Sequence, residues 1–226
     1  MIVACHPPLY LPWPGLFQKM KRADLLVLLD HTPLPMGRSF VSRNRLKNAR
    51  GAFWLTVPLQ RSGRAGQPIG SFQIDSEQDW RRKHLESIAQ AYARAPYLAD
   101  HLPVLQQLLR QPWKRLLDLN LALIKHLCSS LRLTTPLALS SQLGAHATGT
   151  TLVMELCRLL QADAFLVATP GRKFLDEARL ATAGIELRTF ALRAPVYPQL
   201  WGDFVPNLSV LDALLCCGPK AIDFAL

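Results

Sequence analysis

The run DLLVLLD at residues 24–30 does most to narrow what this chain can fold into. Successive apolar residues bounded by acids, too few for an ordinary helix, read as a strand covered on both faces, the habit of parallel sheets. A parallel sheet needs crossover connections, and helical stretches stand where they are required. Ile2–Cys5 is a short apolar strand ending at His6, and Gly15–Arg22 carries Leu16, Phe17 and Met20 at helical spacing. Further on, TPLALSS (135–141), AFLVA (164–168) and IELRTF (185–190) read as strands, with helices over Thr150–Leu160 and residues 172–184 between them. FWLTVPL (53–59) and IGSFQID (69–75) are two more strand candidates.

Three amphipathic segments, 79–94, 96–110 and 112–133, interrupt the alternation, the first opened by Ser76 and Asp79 as a capping box. The tail 195–218 reads as aromatic loop, then a helix capped by Ser209 and Asp212 and stopped by Gly218. The expected fold is α/β: a mostly parallel, Rossmann-like (nucleotidyltransferase-like) sheet with a helical insert at about residues 77–133, in one domain spanning 1–226.

No stretch approaches the roughly 18 apolar residues of a membrane span, and a basic-then-apolar leader is missing, so a cytoplasmic protein is expected. Five cysteines, an odd count without CxxC spacing, read as reduced thiols, and no metal site is expected from six histidines lacking an i, i+4 pair. Net charge is +10, and its distribution matters more than its size. From His31 to Ile74 there is no acid, while Arg38, Arg43, Arg45, Lys47, Arg50, Arg61 and Arg64 all fall there. Such uncompensated charge attracts anionic partners. Arg43, Asn44, Arg45 and Lys47, set among apolar neighbours, are the best anion contacts; Arg61 and Arg64 sit in a Gly- and Pro-marked loop.

Ligands of open parallel sheets bind beyond the carboxyl ends of the strands. Those ends carry His6, Asp30, Ser140, Ser141, and Arg172 with Lys173, so one edge gathers most of the notable polar residues. His6 is a candidate acid or base and Asp30 its candidate partner. Ser140, Ser141, Arg172 and Lys173 lie in loops leading to helices, where backbone N–H groups favour anions. Of Lys83 and His84, about 100° apart on a helix, at most one faces a site; Asn120, among leucines, needs partners whether it is a structural tie or a substrate contact. In HPPLYLPWPG (6–15) the prolines preset a loop that presents His6, Tyr10 and Trp13.

HPPLYLPWPGLFQKM, SRNRLK, FWLTVPL, Trp80 to His84, LDLN (117–120), LSS (139–141) and NLSVLDALLCCG, in that order, resemble the WbqC-like family. The resemblance implies a link to O-antigen and lipopolysaccharide clusters and a glycyl or other aminoacyl transferase role. Departures from the family pattern cluster at the site: His6-Pro7 for Gln-Pro, His31 for an acid after Asp30, Ser42 within the Arg-Asn block, and Phe174 for tyrosine.

The expected function is group transfer: an acyl or aminoacyl group moved to a sugar or other small acceptor from an activated donor. His6, Asp30 and Asn120 form the catalytic set, and Tyr10, Trp13, Arg43, Asn44, Arg45, Lys47, Lys83, His84, Ser140, Ser141, Arg172 and Lys173 bind an anionic small-molecule substrate. The alternatives are an ATP-dependent ligase on a nucleotidyltransferase-like scaffold, a module that binds RNA or aminoacyl-tRNA, and a binding protein without chemistry. The oligomeric state is left open.

Overall fold

A computed structural model describes residues 1–35, 37 and 39–225; Arg38, one of the cations of the acid-free stretch, lies outside them. Five strands form one sheet: β1 (Ile2–His6), β2 (Leu25–Leu28), β5 (Leu137–Leu139), β6 (Ala164–Ala168) and β7 (Glu186–Phe190), in the order β5-β2-β1-β6-β7. Every pairing is parallel, so the chain winds one way from β1 and the other way from β6, as in a doubly wound sheet. The apolar run of 24–30 forms the second strand, with Leu26, Val27 and Leu28 wholly buried.

Helices cover both faces. α1 (Pro14–Lys21) opens with proline, whose missing N–H costs nothing in a first turn, and buries Leu16, Phe17 and Met20. α2 (Trp80–Ala91), α3 (Leu98–Arg110) and α4 (Leu116–Ser130) fill the middle of the chain, and their apolar faces join α1 and α7 (Val210–Cys217) in one core. A second cluster, built on Val3, Val27 and Phe165, packs the other face under α5 (Gly149–Leu160) and α6 (Glu177–Thr182). The short α8 (Ala221–Ala225) closes the described chain.

Local structure differs from the sequence reading in four respects. IGSFQID is not a strand. Ile69–Ser71 is a 3₁₀ turn, because Gly70 N–H donates to Asp30 O at 2.8 Å and Ile69 N–H to Thr32 O at 2.9 Å, drawing the segment against the end of β2. SRNRLK supplies β3 (Arg43–Asn48), which pairs antiparallel with β4 (Gly51–Thr56) in a separate two-stranded ribbon. The helix expected from Arg172 begins only at Glu177, where Asp176 caps it by accepting from Arg179 N–H; Thr169–Phe174 is a 3₁₀ segment. Ser76 is no cap, since α2 starts after Asp79 with no side-chain capping bond; Ser209 does cap α7, accepting from Leu211 N–H, while Asp212 bonds elsewhere.

Candidate functional site

The carboxyl ends of β2 and β5 carry a cleft of about 610 Å³, bordered by Asp30, His31, Gly70, Arg115, Ser141 and His146, among others. At its floor Asp30 is buried, and its carboxylate accepts three hydrogen bonds: Ser140 Oγ at 2.8 Å and Ser141 N at 2.9 Å on Oδ1, Ser141 Oγ at 2.5 Å on Oδ2. Burial pushes its pKa up, but the bonds from Ser141 and Ser140 outweigh that and hold the carboxyl below its ordinary value. Asp30 is therefore an ionised anchor that fixes the 140–141 loop. Gly70 is small for a reason: a Cβ there would stand 3.3 Å from Asp30 O and 3.4 Å from its Oδ2.

His31 extends this array. Its Nδ1 lies 2.6 Å from Ser140 Oγ and its Nε2 3.1 Å from Ala147 O. A carbonyl only accepts, so Nε2 carries a proton. The His146 ring stands edge-on to His31, centroids 6.4 Å apart, and is exposed to the cleft. Glu155 on α5 accepts from His146 N and Ala147 N, both at 3.0 Å, and so holds this loop; those bonds lower its pKa. On the opposite rim Arg115, just ahead of α4, pairs with Asp118 at 2.8 and 2.7 Å and remains largely exposed.

The other residues singled out by sequence are distributed through the fold. His6 does not meet Asp30 in any hydrogen bond of the described residues; its Nδ1–H donates to Pro7 O at 2.9 Å, and burial beside the Lys19 ammonium pushes its pKa down to about 3. Tyr10 and His84 bond each other at 2.9 Å inside the protein, and His84 Nε2–H donates to Thr56 O at 3.2 Å. Asn44 donates to Leu11 O at 2.6 Å and Asn120 to Pro8 O at 2.9 Å and Val41 O at 2.8 Å, so both stitch the proline-rich loop in position. Trp13 lies over Gly15, and Lys83 is exposed. Arg172 pairs with Glu177 at 2.5 Å, and Lys173 stands over the Phe174 ring at 5.1 Å, so those cations find partners beside them.

On the β3–β4 ribbon the Arg43 guanidinium stacks 3.8 Å above the Trp54 ring. Arg45 donates to Asn207 O at 3.3 Å. Lys47 is buried, donating to Asp203 O and Gln199 Oε1, and the nearby Asp212 carboxyl accepts from Tyr92 and Tyr197. His31, Arg115, His146 and Glu155 were missed by the sequence reading, as was Lys19. Arg115 and His146 come from segments remote from β2 and are joined to it only by the fold; His31, adjoining Asp30, was visible as a departure from the family pattern.

The doubly wound parallel sheet, with a cleft at the carboxyl ends of two of its strands, defines an α/β protein of Rossmann-like layout. The chain belongs to the WbqC-like protein family, whose model matches residues 7–224. It is 30% identical over 217 residues to an uncharacterized protein of Mycobacterium tuberculosis, covering 95% of this chain and 93% of that one. No solved structure matches. Among the described residues no helix is long and apolar enough to cross a membrane, and no three His, Cys, Asp or Glu side chains group so as to hold a metal.

Proposed function

We propose that the chain is a group-transfer enzyme, moving an acyl or aminoacyl group to the amine or hydroxyl of a small acceptor in surface-polysaccharide or related biosynthesis. The observation that carries this reading is the cleft itself, where an exposed imidazole, an exposed guanidinium and an anchored carboxylate–hydroxyl array border one space. The transfer needs the acceptor held against the acyl carbonyl, its proton removed, and charge on the donor neutralised. His146 takes the proton as the acceptor attacks the acyl carbonyl, and returns it to the donor's thiol or hydroxyl as the acyl–donor bond breaks and that group departs. Arg115 binds a phosphate or carboxylate of the donor, leaving one cationic contact when Asp118 shares it. Asp30 acts through Ser140 and Ser141, holding the loop rather than accepting the proton, because its carboxyl is a weak base. His6, neutral and bonded to Pro7, is not the acid.

The test is product formation from acyl thioesters and aminoacyl donors with amino- and hydroxy-sugar acceptors, read by mass spectrometry. His146→Ala is expected to lower kcat by about 10²- to 10⁴-fold, and Arg115→Ala to raise KM for the donor. Transfer that is indifferent to both variants would remove the reading. A second reading has its own observation: Trp54 and Phe40, 41% and 42% exposed with centroids 5.7 Å apart, stand beside Arg43 in the acid-free stretch. Exposed rings among cations are the means by which proteins stack single-stranded bases, which fits an aminoacyl-tRNA donor. Retention of tRNA that weakens steeply with salt and with Trp54→Ala supports it; a protein that retains none at low salt argues against it.

A further inference from the structure

Lys19 is a buried cation with one partner. Its side chain reaches back from α1 to the end of β1, where Nζ donates to Cys5 O at 2.8 Å, and the residue is 9% exposed. Among the described residues no carboxylate lies within ion-pairing distance, and Cys5 O is the one protein acceptor that Nζ meets, so two of its three N–H bonds are left without a protein partner there. Burying an ammonium in this state is costly, and proteins rarely leave one unpaired. Lys47, buried to a similar degree, shows the usual remedy: a carbonyl, an amide oxygen and the nearby Asp212 carboxyl share its charge.

The location of Lys19 gives the unmet charge a use. β1 and β6 are the neighbouring strands from which the chain departs in opposite directions, and α1 packs against both. In doubly wound sheets the crevice for ligands opens there, beyond the carboxyl ends. That edge is not sealed: Cys5, His6, Pro7 and Ala168 are half-buried, while Thr169 and Pro170 are exposed. We propose that the carboxyl ends of β1 and β6 form an anion-binding site, in which the Lys19 ammonium receives the phosphate or carboxylate group of a ligand. The anion supplies the two missing acceptors and the missing countercharge. Burial lowers the pKa of Lys19, as expected of an ammonium without a counter-ion, and a bound anion would reverse that. The proposal stands on these residues alone and holds whether or not the protein catalyses a transfer.

The test uses the full chain with pyrophosphate and malonate as probes, against sodium chloride of equal ionic strength. The melting temperature of the wild type is expected to rise by several degrees with at least one probe, and that rise to vanish in Lys19→Met; which probe acts says whether phosphate or carboxylate is the preferred group. Because Lys19→Met changes stability by itself, a second measurement leaves the lysine in place. Acetylation by acetic anhydride, mapped by mass spectrometry, is to be slowed at Lys19 by the active probe and unchanged at exposed Lys21. No rise beyond chloride, an equal rise in Lys19→Met, or equal protection of Lys19 and Lys21 would overturn the site.

Discussion

Gly15 has no room for a side chain, since a Cβ there would land 2.2 Å from the Trp13 ring. Gly15→Ala is expected to destabilise the protein by about 1–3 kcal/mol, the usual cost of overpacking. Adding Trp13→Ala should recover part of that loss, a non-additivity that chemical denaturation of both singles and the double would measure. His84 makes a second prediction. Burial pushes its pKa down to about 4 from an ordinary 6.5, so below 6.5 the unfolded chain takes up the proton first and stability falls. Between pH 6.5 and 4 that contribution amounts to about 3 kcal/mol, and His84→Gln should flatten the acid limb of stability against pH. These residues also show what sequence conceals. Tyr10, Asn44, His84 and Asn120 are the polar types that sites use, yet each is bonded to another part of the interior. Residue type names a capacity to hydrogen-bond, and only the fold says with whom.

Among the elements, the strands of the parallel sheet were legible because continuous burial leaves a continuous apolar run, as in Leu26–Leu28 and Ala164–Leu166. β3 was not. Its sequence RNRLKN reads as a block of anion contacts, but Asn44 and Leu46 turn inward, Lys47 is buried against the 199–203 segment, and Arg43 and Arg45 line the face of Trp54. Conversely, IGSFQID has the alternation of a strand and becomes a turn, because Gly70 is drawn onto the backbone of Asp30. Local propensity yields there to one long-range contact. α6 is too short to hold itself by propensity, so its cap matters. Asp176→Ala, which removes the acceptor of Arg179 N–H at 3.1 Å, should cost about 1 kcal/mol and raise amide exchange over Glu177–Thr182.

Across the whole molecule, the carboxyl edge of the sheet organises what the separate elements supply. That edge was legible, since the ends of β1, β2, β5 and β6 could each be located; the order of the strands was not, because alternation of strands and helices leaves it open. What collects there was only half legible: Asp30, Ser140 and Ser141 meet as neighbouring strand ends must, whereas Arg115 and His146 arrive on the α4 approach and the loop before α5. On this account one edge serves two subsites, a cleft over β2 and β5 and a charged crevice between β1 and β6, separated by the width of β1. The Asp30 cleft is the proposed seat of the small-molecule substrate. Native mass spectrometry of protein expressed in its own host tests it most directly. A small molecule is expected on the wild type and absent from Arg115→Ala and His146→Ala, both of them exposed positions. A ligand carried equally by both variants, or none on any of the three proteins, would contradict it.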